Sequence, residues 1–146
     1  MAITSAICNS FKQEILVGTH NLTASSGNTF KIALFTSSAS LGASTTAYST
    51  SNEISNTSGS AYSAGGATLT SVTPAASSTT AVCDFSDVSF TSASFTANGA
   101  LIYNDSASGD PAVCAIAFGS DKTVTSGTFT IQFPTADASN AIIRIA

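Results

Sequence analysis

Few side chains in this chain have the chemistry to carry a reaction. His20 is the sole histidine, in GTHNL. Nucleophilic catalysis would need a nucleophile and an orienting acid beside it. Serines abound, but no G-x-S-x-G elbow occurs. His20 follows Gly18 at the end of a helical pattern, where a donor or positive group caps the last carbonyls, and that is the reading taken. Asp84 and Asp87 stand in CDFSDV, and Asp105 and Asp110 in NDSASGD. Paired carboxylates can perform glycosidase chemistry or bind Ca²⁺. Asn104, Asp105, Ser106 and Asp110 make an oxygen-rich loop, though not with EF-hand spacing. Asp and Asn are also the ordinary residues of turns, which is the reading preferred here and for Asp121 in GSDKTVTSG. Cys8, Cys83 and Cys114 match neither a zinc knuckle nor a redox pair. Buried thiols acting as small hydrophobes are expected, with a Cys83–Cys114 disulfide as the alternative. No phosphate loop or dinucleotide fingerprint occurs. The expectation is therefore a protein that is not an enzyme, with no cofactor and no metal.

The elements that would hold these residues change character along the chain. Residues 4–18 carry the only helical pattern: Ile7, Cys8, Phe11, Ile15 and Leu16 recur at spacings of three and four, a stripe expected to be buried. Thr4 or Ser5 can cap its start and Gly18 its end. From residue 29 the period becomes two. In TFKIALFT, Phe30, Ile32 and Leu34 share one face, and Phe35 makes the other partly apolar, so both faces are expected to be covered. Residues 37–66, SSASLGASTTAYSTSNEISNTSGSAYSAGG, have almost no periodicity. The stretch is long for a loop in a compact domain. Leu41, Tyr48, Ile54 and Tyr62 supply anchors that a flexible linker would lack, so an ordered excursion is expected.

Strands resume at 67–73, 80–85, 87–90, 95–104, 112–118, 128–133 and 140–145. Asn98-Gly99 has the form of a hairpin turn, but Phe95, Ala97, Leu101 and Tyr103 favour one long strand with a glycine where something packs closely. Residues 119–122 read as a turn. One mainly β domain over residues 1–146 follows: an antiparallel sandwich or barrel of seven or eight strands with a short N-terminal helix.

Composition narrows the function. The 146 residues include 26 Ser and 21 Thr, only 8% are charged, and the formal net charge is −4. Four Lys and Arg cannot neutralise many phosphates, so nucleic acid is not an expected partner. No apolar run is long enough for a spanning helix, so neither is a membrane. The N-terminus has no basic region followed by an apolar core, and no secretory signal is read there. The sequons at Asn21, Asn56 and Asn104 are read as chance triplets in a chain rich in Ser and Thr. Ordinary domains carry about 25% charge. A poorly charged Thr, Ser and Ala surface is tolerable where much of it meets other protein, and its strand edges lack the lysines that block pairing.

Several segments in order complete the picture: FKQEILVGTHNL, KIALFTS, YSTSNEIS, AYSAGGATL, CDFSDVSF, ALIYND and AIAFGSDKTVTSGTFTIQF. Together, over roughly residues 11–133, this chain resembles a group of small tailed-bacteriophage virion structural proteins. It departs from them at Phe90, where another aromatic commonly closes the F-x-x-D-D-V-x-W piece. The resemblance implies a particle component, assembled in the host cytoplasm and located in the virion. The leading expectation is a capsid decoration or cement protein that bridges subunits of the major capsid protein. A tail, neck or fibre-base subunit is the alternative, and a receptor- or carbohydrate-binding module stands behind both. A homo-oligomer is expected. The expected partner contacts are Ile7, Phe11 and Ile15 on the helix, and Leu41, Tyr48, Ile54 and Tyr62 in the long loop.

Overall fold

The computed structural model describes residues 2–55 and 61–146; the Asn56 sequon and the middle of the 37–66 excursion lie outside them. Among the described residues the chain is mainly β, with eight strands in two antiparallel sheets and one short helix, consistent with a β-sandwich-like fold. In chain order the elements are β1 (Ala6–Ile7), α1 (Asn9–Leu16), β2 (Phe30–Phe35), β3 (Ala67–Thr68), β4 (Ser71–Ser77), β5 (Thr80–Phe85), β6 (Val88–Asn104), β7 (Ala112–Ile131) and β8 (Ile143–Ile145). The larger sheet runs β1-β7-β6-β2-β3 and the smaller β4-β5-β8.

The helix is half as long as its pattern suggests. Residues 4–8 pair instead of coiling: the Thr4 N–H donates to the Leu41 carbonyl, Cys8 N–H to Val113, and Ala6 and Ile7 lie opposite Ala115 and Cys114. Cys8, extended, stands at the N-cap in place of Thr4 or Ser5 and makes no side-chain cap bond. The reason is tertiary: the edge of β7 offers these residues backbone partners, and that overrides a helical spacing that only two turns support. The C-terminal end agrees with the sequence. Gly18 has φ +78°, and the Gly18 and Thr19 N–H groups donate to the carbonyls of Ile15 and Glu14, a Schellman closure.

β2 is buried on both faces, as its alternation implies: only Lys31 is partly open. It pairs with β6 through six consecutive positions, Phe30↔Asn104 to Phe35↔Gly99. At Gly99 a Cβ would lie 2.6 Å from the Ile116 carbonyl and 2.8 Å from the Ile3 side chain, which accounts for the glycine.

Two expected breaks are absent. Residues 88–104 form one strand, and 112–131 form one strand with no turn at 119–122. Gly119, at φ +79°, belongs to a bulge: Ala97 pairs with Lys122 and Gly99 with Ala117, so four residues of β7 stand opposite Asn98. Further irregularities fall at Ser92 and Ser126, both at positive φ. These bulges bend the ribbon sharply. Phe118 and Phe129 lie eleven positions apart in β7 and would be separated by about 36 Å in a straight strand. Their ring centroids are 6.0 Å apart. The bent β6–β7 ribbon therefore wraps part of the core itself, as strands that turn sandwich corners at bulges do. A continuous aromatic series, Phe118–Phe129–Phe95–Phe90–Tyr62, runs through the fold beneath it.

Candidate functional site

One polar cluster was passed over by sequence reasoning. Glu53 is the only charged residue in the 37–66 excursion. Its carboxylate accepts hydrogen bonds from the Tyr48 hydroxyl (2.6 Å), the Tyr62 hydroxyl and the Gly65 N–H (2.7 Å). The Tyr62 oxygen in turn accepts from the Leu34 N–H (2.9 Å), and the Tyr103 hydroxyl donates to the Gly65 carbonyl (2.7 Å). The rings of Tyr48 and Tyr103 stack at 4.4 Å. All three tyrosines of the chain thus converge on one carboxylate and one glycine. Burial first, and then the Glu53 carboxylate, pushes the Tyr48 and Tyr62 phenols well above their ordinary range. Tyr103 is raised by burial and by the charges of Asp105, Asp110 and Glu53. Phenols held neutral in this way serve as hydrogen-bond donors rather than nucleophiles. The cluster fastens the excursion to β2 and β6. The sequence signal was there: a lone Glu among twenty-nine uncharged residues, between two tyrosines.

His20 does not cap the helix. Its ring turns inward between Phe11 and Phe30, at 4.8 and 6.2 Å. The fully buried Asn104 accepts the Ser106 and Ala107 N–H groups on its carbonyl oxygen (3.0 and 3.2 Å), so its amide nitrogen faces His20 Nδ1 at 3.0 Å. Nδ1 is therefore an acceptor, and the ring proton sits on Nε2, 2.7 Å from Glu14 Oε2. Both imidazole nitrogens are committed to holding α1 against the 105–111 loop.

Four of the aspartates each hold a single donor or cation, two of them across strands. Asp84 accepts the Phe85 N–H (2.8 Å), Asp87 the Phe133 N–H (2.8 Å), and Asp121 the Asn98 amide (2.8 Å). Asp105 lies 3.6 Å from the Lys31 ammonium. Among the described residues no group of three His, Cys, Asp or Glu side chains is placed to hold a metal ion. Cys8, Cys83 and Cys114 are free buried thiols, so the alternative Cys83–Cys114 disulfide is not formed. Asn104 is wholly buried and Asn21 exposed. No helix among the described residues is long and apolar enough to cross a membrane.

The expected contact residues divide. Phe11, Ile54 and Tyr62 are 2%, 4% and 1% exposed and belong to the core, so they cannot present a surface to a partner. The reason is general: an apolar side chain able to anchor a loop does so by being buried in its own domain. Ile7, Ile15, Leu41 and Tyr48 are half-buried and packed against that core. The apolar residues that do face outward were not expected. Leu16 and Val17 at the end of α1 are 85% and 67% exposed, and Ile145 in β8 is 56% exposed. Ile145 lines, with Ile15, Leu22, Pro74, Val82 and Ile143, an open groove of about 470 Å³.

The outward face of the β6–β7 ribbon is paved with uncharged hydroxyls. Ser89 and Thr130 share a hydrogen bond of 2.8 Å, as do Thr96 and Thr123, and the Ser126 N–H donates to the Ser94 hydroxyl at 2.9 Å. These hydroxyls satisfy one another and a backbone amide across the strands, and the only charges on the ribbon are Asp121, bonded to Asn98, and Lys122. In comparisons with known proteins, no family model, no curated protein and no solved structure matches this chain.

Proposed function

We propose that this chain is a structural protein of a tailed-bacteriophage virion, and that it serves as a capsid decoration protein bridging neighbouring shell subunits. The observation that supports this reading best is the surface. A chain with 8% charged residues exposes a ribbon of mutually paired hydroxyls and, away from it, the apolar side chains of Leu16, Val17 and Ile145. Uncharged surface of this kind is suited to burial against other protein, and its contacts change little with salt. The resemblance read from the order of segments in the sequence points the same way.

In this role the protein acts by binding alone. A ligand that recognises the assembled shell and not its dissociated subunits shifts the equilibrium toward the shell by mass action. The half-buried Ile15, Leu41 and Tyr48 and the exposed Leu16 and Val17 are the contacts assigned to it. A carbohydrate-binding module fits less well, because Tyr62 is buried and Tyr48 is stacked on Tyr103, leaving neither ring as a free platform. The test is to add purified protein to shells assembled without it. Saturable co-sedimentation, with a raised temperature of shell disruption, is the expected result. Shells that bind none of it while completed tails or necks do would move the protein to those structures.

A further inference from the structure

The outer edge of β7 ends in a short uncovered stretch. β1 covers β7 only at Cys114 and Ala115, and among the described residues no strand lies against β7 beyond them on that side. The Phe133 N–H points back to Asp87, which precedes β6, and Phe129 pairs with Phe90. By the alternation of an antiparallel ladder, the N–H and carbonyl groups of Thr128, Thr130 and Gln132 then point away from β6, toward the open edge. The close hydroxyl contact of Thr130 with Ser89 agrees, since side chains approach most closely at positions that do not exchange ladder bonds.

Residues 127–133 read GTFTIQF and carry no charge, no proline and no lysine, the devices that ordinarily blunt an edge. The stretch is bounded by Ser126, at φ +46°, on one side and by Pro134, which has no N–H, on the other. Its midpoint is Thr130. Beside it lie two adjoining apolar cavities of about 300 and 420 Å³ that share Ile116, Ile131 and Gln132.

We infer that two copies of this chain pair edge to edge through residues 127–133, antiparallel, about a two-fold axis at Thr130. In that register Thr130 faces Thr130, Thr128 faces Gln132, and Phe129 faces Ile131. Phe129 and Ile131 then meet on the cavity side, Thr128 and Gln132 on the exposed side, and Phe133 falls opposite Gly127, which leaves room for its ring. About six backbone hydrogen bonds form from groups that otherwise face solvent. A second copy is the occupant because the register is self-complementary and sets no like charges opposite each other, although each chain carries a net charge of −4. The pairing does not depend on the chain being a virion component.

The test combines sedimentation velocity over a concentration series with amide hydrogen exchange. The wild type is expected to form a species of twice the chain mass, with the amides of Thr128, Thr130 and Gln132 becoming protected as it forms. Thr130→Pro removes an outward donor at a place where an edge strand accepts proline, and Thr128→Lys sets a charge on the exposed edge. Each is expected to abolish the dimer while keeping the wild-type circular dichroism. Should Thr130→Pro fail to fold, Thr128→Lys carries the test. A chain that stays monomeric at every concentration overturns the inference. So does a dimer that survives Thr128→Lys or leaves those three amides exchanging freely.

Discussion

Replacing Glu53 by Ala tests how the long excursion is held. The carboxylate accepts three hydrogen bonds, from Tyr48, Tyr62 and Gly65. Their environments set the magnitude. Tyr62 is 1% exposed, so taking away the carboxylate from its hydroxyl costs about 1–3 kcal/mol of desolvation. Tyr48 and Gly65 are half-exposed and can turn to water, so each contributes about 0.5–1 kcal/mol. The expected loss is about 3 kcal/mol, a fall in Tm of roughly 10 °C for a chain of this size. Urea and thermal unfolding followed by circular dichroism measure it. Glu53→Gln keeps one acceptor oxygen and should lose about half as much. Hydrogen exchange at Leu34 and Gly65, whose amides belong to the same cluster, should quicken in both variants. A Glu53→Ala protein within about 0.5 kcal/mol of wild type would refute the reasoning, because buried hydroxyl donors do not give up a carboxylate acceptor at so small a cost.

Three further outcomes are expected. The phenols of Tyr48, Tyr62 and Tyr103 are raised in the fold above the ordinary value of about 10, so the folded state favours their neutral form. Their contribution to stability is complete below about pH 10 and is lost as pH climbs toward the folded values; ultraviolet phenolate absorbance should therefore appear together with unfolding and not ahead of it. Burial pushes the Cys8 thiol up to about 11, Cys83 to about 12 and Cys114 higher still, so a disulfide-exchange reagent should label none of the three in the native protein and all three in denaturant. Gly66→Ala should prevent stable folding, since Gly66 has φ +78° and an added Cβ would run into the Ile32 carbonyl, whereas Gly109→Ala, at φ +83° but with open space around it, should cost about 1 kcal/mol in a chemical denaturation series.

Much of the fold is legible in the residues because it rests on short-range alternation. Phe30–Phe35 declares a strand covered on both faces, and Gly99 declares a close approach. The failures share one cause, long-range pairing that local pattern does not encode. Ile7 and Cys8 fit a helical stripe, yet the edge of β7 claims them. Gly119-Ser120-Asp121-Lys122 has turn chemistry, yet Asn98 and Thr96 on β6 hold it within the ladder as a bulge. The contact surface is the least legible part. Hydrophobicity singles out Phe11, Ile54 and Tyr62, which fold inward, while Leu16, Val17 and Ile145 come to the surface because α1 closes at Gly18 and β8 lies at the edge of its sheet. Glu53 was missed because its role depends on three tyrosines that only the fold brings together.

A decoration protein covers its shell in many copies, so the copy number per purified virion tests the proposed role most directly. Quantitative mass spectrometry against the major capsid protein supplies the number. A ratio close to stoichiometric is the predicted result. A ratio of a few percent or less, or none of the chain in the particle, would contradict it.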